Sequence, residues 1–295
     1  MSQTKDRAAT SRPTRKPRRH CNELDGKRWL QNSLSIWSDI RKTTAETRLK
    51  HPALFPSMLV RRLIETFLPL EGNMVLDPLA GSGSTVITAH SLGKQGVGLE
   101  LSPEYVELAN SRLAELNGAD HSNHDTVEST NAATGERPQS MIHQAAAADL
   151  LQYVAPESVD LCISSPPYWN ILNQRRTADL KEIRHYGNLD GDLGIIEDYE
   201  QFLNAVTTVF ADVLTVLKPG GYCCVIVMDL RKKNRFFPLH SDLATRLAAA
   251  GYIFDDLIIW NRQSEYNNLR PLGYPSVFRI NKVHEYVLLM QKPKV

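Results

Sequence analysis

The chain has 295 residues, 42% of them hydrophobic and 23% charged, with a formal net charge of +1. That is the balance of a soluble globular protein long enough to bury a sizeable core in one large or two small domains. It has no uninterrupted apolar stretch of bilayer length and no apolar core behind its basic N-terminus. A membrane anchor and a secretory leader are therefore not expected, and the location read is cytoplasmic.

Residues 1–20 carry seven Lys or Arg against Asp6 alone, so a net +6 precedes a body at −5. Residues 1–22 are aperiodic and rich in Arg, Thr and Pro, which predicts a disordered basic arm, either a polyanion contact or a solubilising tail. From about 25 to 50 the chain is amphipathic, with Trp29, Leu30, Leu34, Ile36 and Trp37 as apolar anchors. After HPALFP (51–56), SMLVRRLIETFL has the spacing of a helix.

MVLD (74–77) reads as a short buried strand ending at the loop PLAGSGS. A helix over STVITAHSLG, closed by Gly93, leads to a second strand, QGVGLE, ending on Glu100. SPEYVELANSRLAEL then opens a helix with Ser102 as N-cap and Pro103 at the first helical position. Residues 117–141 are polar, small and aperiodic, and read as an insertion. IHQAAAAD leads to Asp149, VDLCISS is a buried strand, and YEQFLNAVTTVFADVLTVL is a long amphipathic helix. KPGG is expected as a turn, YCCVIVMDL as a strand, HSDLATRLAAAG as a helix ending at Gly251, and DDLIIW and HEYVLLMQ as two last strands. The four cysteines, Cys21, Cys162, Cys223 and Cys224, lack C-x-x-C spacing, and three lie in apolar runs. They read as reduced core residues, with no metal site.

Strands alternating with helices of this length imply an α/β fold: a doubly wound, mainly parallel sheet, with the last two strands pairing antiparallel at the closing edge. Residues 23–295 are read as one unit. It comprises a first part (about 50–115), the insertion and a second part (145–292). Ligands of such sheets bind at the carboxyl ends of the strands. The glycine loop, Glu100, Asp149 and the segment SSPPYWN (164–170) all follow a predicted strand and converge on that rim.

Gly81 and Gly83 let backbone approach a ligand and open a helix N-terminus. Glu100 follows at roughly the ~20-residue spacing at which an acid reaches ribose hydroxyls. The third glycine of a dinucleotide fingerprint is missing and no G-K-[ST] follows, which leaves a pocket for a nucleoside-type ligand without a bound pyrophosphate. In SSPPYWN, two consecutive prolines remove two backbone donors and fix two φ angles, making a rigid corner with Tyr168 behind it.

DPLAGSGST…GVGLELSPEYVELANSRL together with SPPY resembles the DNA amino-methyltransferases, which move a methyl group from S-adenosylmethionine to an exocyclic nitrogen of cytosine or adenine. The resemblance covers roughly 50–115 and 145–292. It implies a Rossmann-like methyltransferase fold with S-adenosylmethionine as cofactor and double-stranded DNA as substrate. Asp77, Gly81 and Gly83 would hold the methionine part, Glu100 the ribose and Asp149 the adenine amino group. His51 and Phe55 of HPALFP would cover the methionine end, and Leu79 stands where the family usually has Phe. The catalytic corner is Ser165, Pro166, Pro167 and Tyr168. Ser165 and the Pro166 carbonyl would accept from the amino group and localise its lone pair, while Tyr168 offers a face for a base flipped out of the duplex.

Ser before Pro-Pro-Tyr goes mostly with cytosine N4 in this family, so a restriction–modification enzyme methylating cytosine N4 is expected. Open beside it are N6-adenine methylation, an RNA substrate and a catalytically silent DNA-binding relative. The cofactor half precedes the catalytic half, the reverse of the order in many relatives, and no separate recognition domain is left over. Three rim segments are the candidates for DNA contact: 170–188 with Arg175, Arg176 and Arg184; 231–237 with Arg231, Lys232 and Lys233; and 261–282 with Arg262 and Arg270. His284-Glu285 reads as structural. A homodimer stays open.

Overall fold

Apolar residues at period two build the sheet and residues at period 3.6 build its two helical covers, so the pattern of burial fixes the layers. The computed structural model describes residues 20–48, 55–119, 139–170, 189–266, 269 and 271–294. The first part holds α1 (Gly26–Asn32), β1 (Ile36–Trp37), α2 (Thr44–Arg48), α3 (Ser57–Phe67), β2 (Met74–Asp77) and α4 (Ser84–Ser91). Then come β3 (Gln95–Glu100), α5 (Pro103–Ala119), β4 (Met141–Gln144), α6 (Leu150–Tyr153) and β5 (Val159–Ser164). The last part holds α7 (Tyr199–Val216), β6 (Leu217–Val227), β7 (Leu230–Lys232), β8 (Arg235–Phe237), α8 (Leu239–Ala249), β9 (Ile253–Asn261) and β10 (His284–Gln291).

Eight strands form one sheet in the order β1-β9-β10-β6-β5-β2-β3-β4. Only β10 runs against the rest, antiparallel to both β6 and β9. The chain winds outward from β2 to β3 and β4, and from β5 to β6 in the other direction, so the topological switch lies between β2 and β5. This is the doubly wound sheet expected, with its antiparallel strand two places further in than a closing edge. β10 inserts between β6 and β9, and β9 carries the two-residue β1 outside it.

Alternation along the central strands splits the core. Cys223, Val225 and Val227 of β6, Cys162 of β5, and Leu288 and Met290 of β10 pack with Phe202, Phe210 and Val213 of α7 and Leu243 and Leu247 of α8. Cys224 and Ile226, Leu161 and Ile163, and Val287 and Leu289 face the opposite way, onto Leu59, Val60, Leu63 and Ile64 of α3. α7 starts where the Asp198 side chain caps it, accepting from the Gln201 N–H at 2.8 Å. Its buried Phe202, Val206, Val209, Phe210 and Val213 then recur every three or four residues.

Three expectations are corrected. Trp29, Leu30, Leu34 and Ile36 are 48%, 68%, 56% and 53% exposed, and of the five anchors only Trp37 is buried. α1 docks instead through Asn32, whose amide donates to Thr66 Oγ1, and in β1 the alternation turns Ile36 outward. KPGG lies within β6, where Gly220 has φ +80° and the β5–β6 register shifts between Val159 and Leu161. The strand expected to run to Leu230 stops at Val227, and Leu230–Lys232 instead pairs with Arg235–Phe237 as a separate hairpin turning at Lys233, φ +54°.

Candidate active site at the carboxyl edge of the sheet

β2 and β5 are neighbours at the switch point, and their last residues touch: Ser164 Oγ donates to Asp77 Oδ1 at 2.7 Å. The same oxygen accepts from Leu79 N–H at 3.1 Å, which turns the chain into the glycine loop. Asp77 is fully enclosed, and Oδ2 has no partner among the described residues. Desolvation pushes its pKa up to about 6, against the hydrogen bonds from Ser164 and Leu79. Asp77 thus braces the loop against β5 instead of lying open on the rim.

Gly81 adopts φ +53° and its N–H donates to Glu100 Oε2 at 2.8 Å. Gly83 adopts φ +80°, and a Cβ there would stand 2.9 Å from both Ala109 Cβ and Ile142 Cδ1. Its lack of a side chain serves the packing of α5 and β4 against the loop as much as any ligand. Arg112 of α5 donates to the Ser82 carbonyl from below. Leu79 is half-buried, and Phe55 is half-buried against the α3 face of the core.

Glu100, 8% exposed at the end of β3, accepts from Gly81 N–H with one oxygen and from Ser102 N–H with the other, each at 2.8 Å. Desolvation raises its pKa above the ordinary value. The Ala145 N–H bonds the Glu100 carbonyl, which sets the exit of β4 beside that of β3. Asp149, half-buried in the turn that follows, accepts from Gln152 Nε2 at 2.9 Å.

From β5 the chain enters the proline corner. Ser165 Oγ reaches the Ile226 carbonyl of β6 at 3.1 Å and lies 3.3 Å from the Tyr168 hydroxyl. Pro166 is buried, while Ser165, Pro167 and Tyr168 are half-buried. Trp169, at φ +54°, turns into the core: its indole donates to the Ile196 carbonyl and its ring packs on Tyr199 and Phe237. The Tyr168 hydroxyl donates to Glu285 Oε2 at 2.8 Å. Burial, and then the Glu285 charge, hold that phenol well above its usual pKa, so it stays a donor.

Arg262, expected among the DNA contacts, is turned inward. Its guanidinium donates to Glu285 Oε1 and to Glu265 Oε2, and lies 4.7 Å from the centroid of the Trp260 ring. A buried carboxylate left without a counter-charge would be costly, and that keeps the side chain from the surface. Arg231, Lys232, Lys233 and Arg235 have no carboxylate partner among the described residues, while Lys232 bonds Asn170 Oδ1 at 3.2 Å and covers the Trp169 ring. Arg279 reaches Asn234 in the hairpin turn and Lys282 covers Phe236, so hairpin and 271–282 make one surface. A groove of about 290 Å³ between them is lined by Arg231, Phe236, Phe278, Arg279, Ile280 and Lys282. Phe278 is 90% exposed. A larger groove, about 500 Å³, lies away from the glycine loop between α7, α8 and β8.

His51, Arg175, Arg176, Arg184 and Arg270 lie outside the described residues. Ser164 and the inward role of Arg262 escaped the sequence, because each acts on a residue distant in the chain; Glu285, read as structural, holds both Tyr168 and Arg262. Among the described residues no group of three His, Cys, Asp or Glu is placed to hold a metal, and no helix is long and apolar enough to cross a membrane.

A family model described as DNA methylase matches residues 2–111 and 159–295. The Type II methyltransferase M.ScaI of Streptomyces caespitosus is 37% identical over 99 residues, 32% of this chain and 30% of that protein. M.HpaI of Haemophilus parainfluenzae, also a Type II methyltransferase, is 38% identical over 76 residues, 25% of this chain and 24% of that one. The chain thus spans under a third of the length of these curated relatives in the matched regions. Among solved structures, TrmN from Thermus thermophilus covers 84% of this chain and 52% of its own at 16% identity, with a TM-score of 0.49.

Proposed function

Since the chain belongs to the DNA methylase family whose model spans most of it, we propose that it transfers a methyl group from S-adenosylmethionine to an exocyclic amino nitrogen in DNA, and that the nitrogen is N4 of cytosine. The observation that carries this reading is the contact across the switch point. The 2.7 Å bond between Ser164 and Asp77 makes the glycine loop and the proline corner leave the sheet side by side. A cofactor on one and an amino group on the other would meet at that seam.

The residues present suit the cofactor. No side chain caps α4, so its N-terminus keeps its preference for an anion, here the cofactor carboxylate. Glu100 commits one lone pair per oxygen to backbone N–H groups and retains others for ribose hydroxyls. Asp149 is assigned to the adenine amino group. When bound, S-adenosylmethionine supplies an electrophilic methyl on a sulfonium.

The chain's own work is on the nucleophile. An exocyclic amino nitrogen shares its lone pair with the ring and attacks poorly. With its proton turned to the Ile226 carbonyl, Ser165 Oγ presents its free lone pairs as acceptors for an amino N–H. Pro166 supplies a second, stiff carbonyl. Two acceptors favour a pyramidal nitrogen with a localised pair, and the prolines limit reorganisation. Tyr168 gives the extruded base a ring to stack on. Duplex phosphates meet Arg231, Lys232 and Lys233 on the hairpin, beside the exposed Phe278. The Type II names of the relatives support pairing with an endonuclease.

The test is to incubate the protein with mixed-sequence duplex DNA and methyl-labelled S-adenosylmethionine, digest the DNA and identify the labelled nucleoside by mass spectrometry. N4-methylcytosine is expected, and Ser165→Ala should lower the rate about 100-fold by removing one oriented acceptor. Label in N6-methyladenine would overturn the assignment of the base. Label in an RNA sample run in parallel, with none in the DNA, would overturn the substrate.

A further inference from the structure

Behind Tyr168 lies a chain of buried polar groups that the transfer step does not itself require. The tyrosine hydroxyl donates to Glu285 Oε2 at 2.8 Å, and Glu285, on β10, is 4% exposed. Its other oxygen accepts from Arg262, which also bonds Glu265 at 2.8 Å. Burial alone would lower the pKa of this guanidinium, and the two carboxylates raise it well above its usual value. Arg262 stands just past the end of β9, where its N–H bonds the Val283 carbonyl, and Glu265 lies in the helical turn Gln263–Glu265 that opens the segment to 282. Three elements separate in sequence, the proline corner, β10 and the start of a predicted target-reading segment, are thus joined through a buried Glu285 and the half-buried Arg262 and Glu265.

Packing alone would be served as well by apolar residues of similar volume, since a buried ion pair is a weak stabiliser. Such a pair does impose direction. A Tyr hydroxyl bonded to a carboxylate that is itself fixed resists tilting of its ring. We propose that Glu285 and Arg262 form a positioning pair that holds the ring of Tyr168 in the attitude in which it receives the target base, and that ties this attitude to residues 263–265. This rests on the reading of Tyr168 as the stacking face.

The test uses Tyr168→Phe, Glu285→Gln and the double variant in the full chain. Tyr168→Phe keeps the ring and removes the hydroxyl, with its bond to Glu285 and its 3.3 Å contact with Ser165 Oγ, so it leaves the folded core in place. Each single variant should lower kcat on duplex DNA about 10- to 100-fold, the cost of a misplaced reacting group, with S-adenosylmethionine affinity unchanged. The double variant should be no worse than the worse single one, because both cut the same link. Losses that multiply in the double variant, or a fall in Tm with kcat intact, overturn the proposal. Hydrogen exchange without any substrate gives a separate reading. Glu285→Gln should speed exchange at Tyr168 and Trp169 and at 263–266, and unchanged protection there overturns the tether even for a protein that methylates no DNA. Failure of the wild type to label DNA, with exchange responding as expected, overturns only the substrate assignment.

Discussion

Replacing Asp77 with Asn removes one buried ionisation while keeping nearly the same shape. The native carboxyl is enclosed, and desolvation lifts its pKa from 3.8 to about 6. A carboxyl with a raised pKa holds its proton in the folded protein over a range where the unfolded chain has released it. Its contribution to stability therefore falls as pH rises from 3.8 through about 6, and is level above that. At about 1.36 kcal/mol per pKa unit the full penalty is about 3 kcal/mol, of which about 1 kcal/mol is already present at about pH 4.5. Asn carries no such penalty. The stability of Asp77→Asn relative to the wild type should thus rise by about 2 kcal/mol between about pH 4.5 and about pH 7.5. The offset between the two curves is a separate matter, since the Asn amide places donors where Oδ2 now has no partner, at about 1–3 kcal/mol. Urea unfolding of both proteins at the two pH values measures the difference, with titrating groups that do not feel Asp77 cancelling. Parallel curves would refute the view of Asp77 as a buried, strained carboxylate.

Gly83→Ala should destabilise the protein by about 2–4 kcal/mol, because φ +80° is poor for an L-residue and the new methyl meets Ala109 and Ile142 at 2.9 Å. An unchanged denaturation midpoint would contradict that packing. Arg231→Gln and Lys233→Gln should each weaken duplex DNA binding and reduce the slope of log affinity against log salt by about 0.9, if each meets one phosphate. Fluorescence anisotropy over a salt series reads this, and a slope equal to that of the wild type would remove the hairpin from the interface.

Much of the site was legible because its geometry is written locally. Gly81 is set by a backbone angle that favours glycine, the proline corner by two fixed φ angles, and Glu100 by the strand it ends. Period-two runs likewise named the central strands, and Cys162, Cys223 and Cys224 fell in the core as read. The expected anchors Trp29, Leu30, Leu34 and Ile36 failed for a different reason. Their apolar character is a property of the residues, whereas burial needs an opposing surface, and α1 meets α3 through Asn32 and Thr66.

Arg262 shows the same limit at the site. In sequence it belongs to a polar, basic segment suited to phosphate, yet Glu285 lies 23 residues away and reaches it because β9 and β10 pair. Sequence by itself determined the winding of the sheet, the two loops at its carboxyl edge and the residue types they offer, all of which follow from short-range backbone and burial preferences. Tertiary structure alone decided that β10 slips between β6 and β9, that Asp77 and Ser164 meet, and that Glu285 takes the Tyr168 hydroxyl. Those contacts join residues 87 and 117 positions apart, and only strand pairing across the folded sheet brings such groups within hydrogen-bond reach.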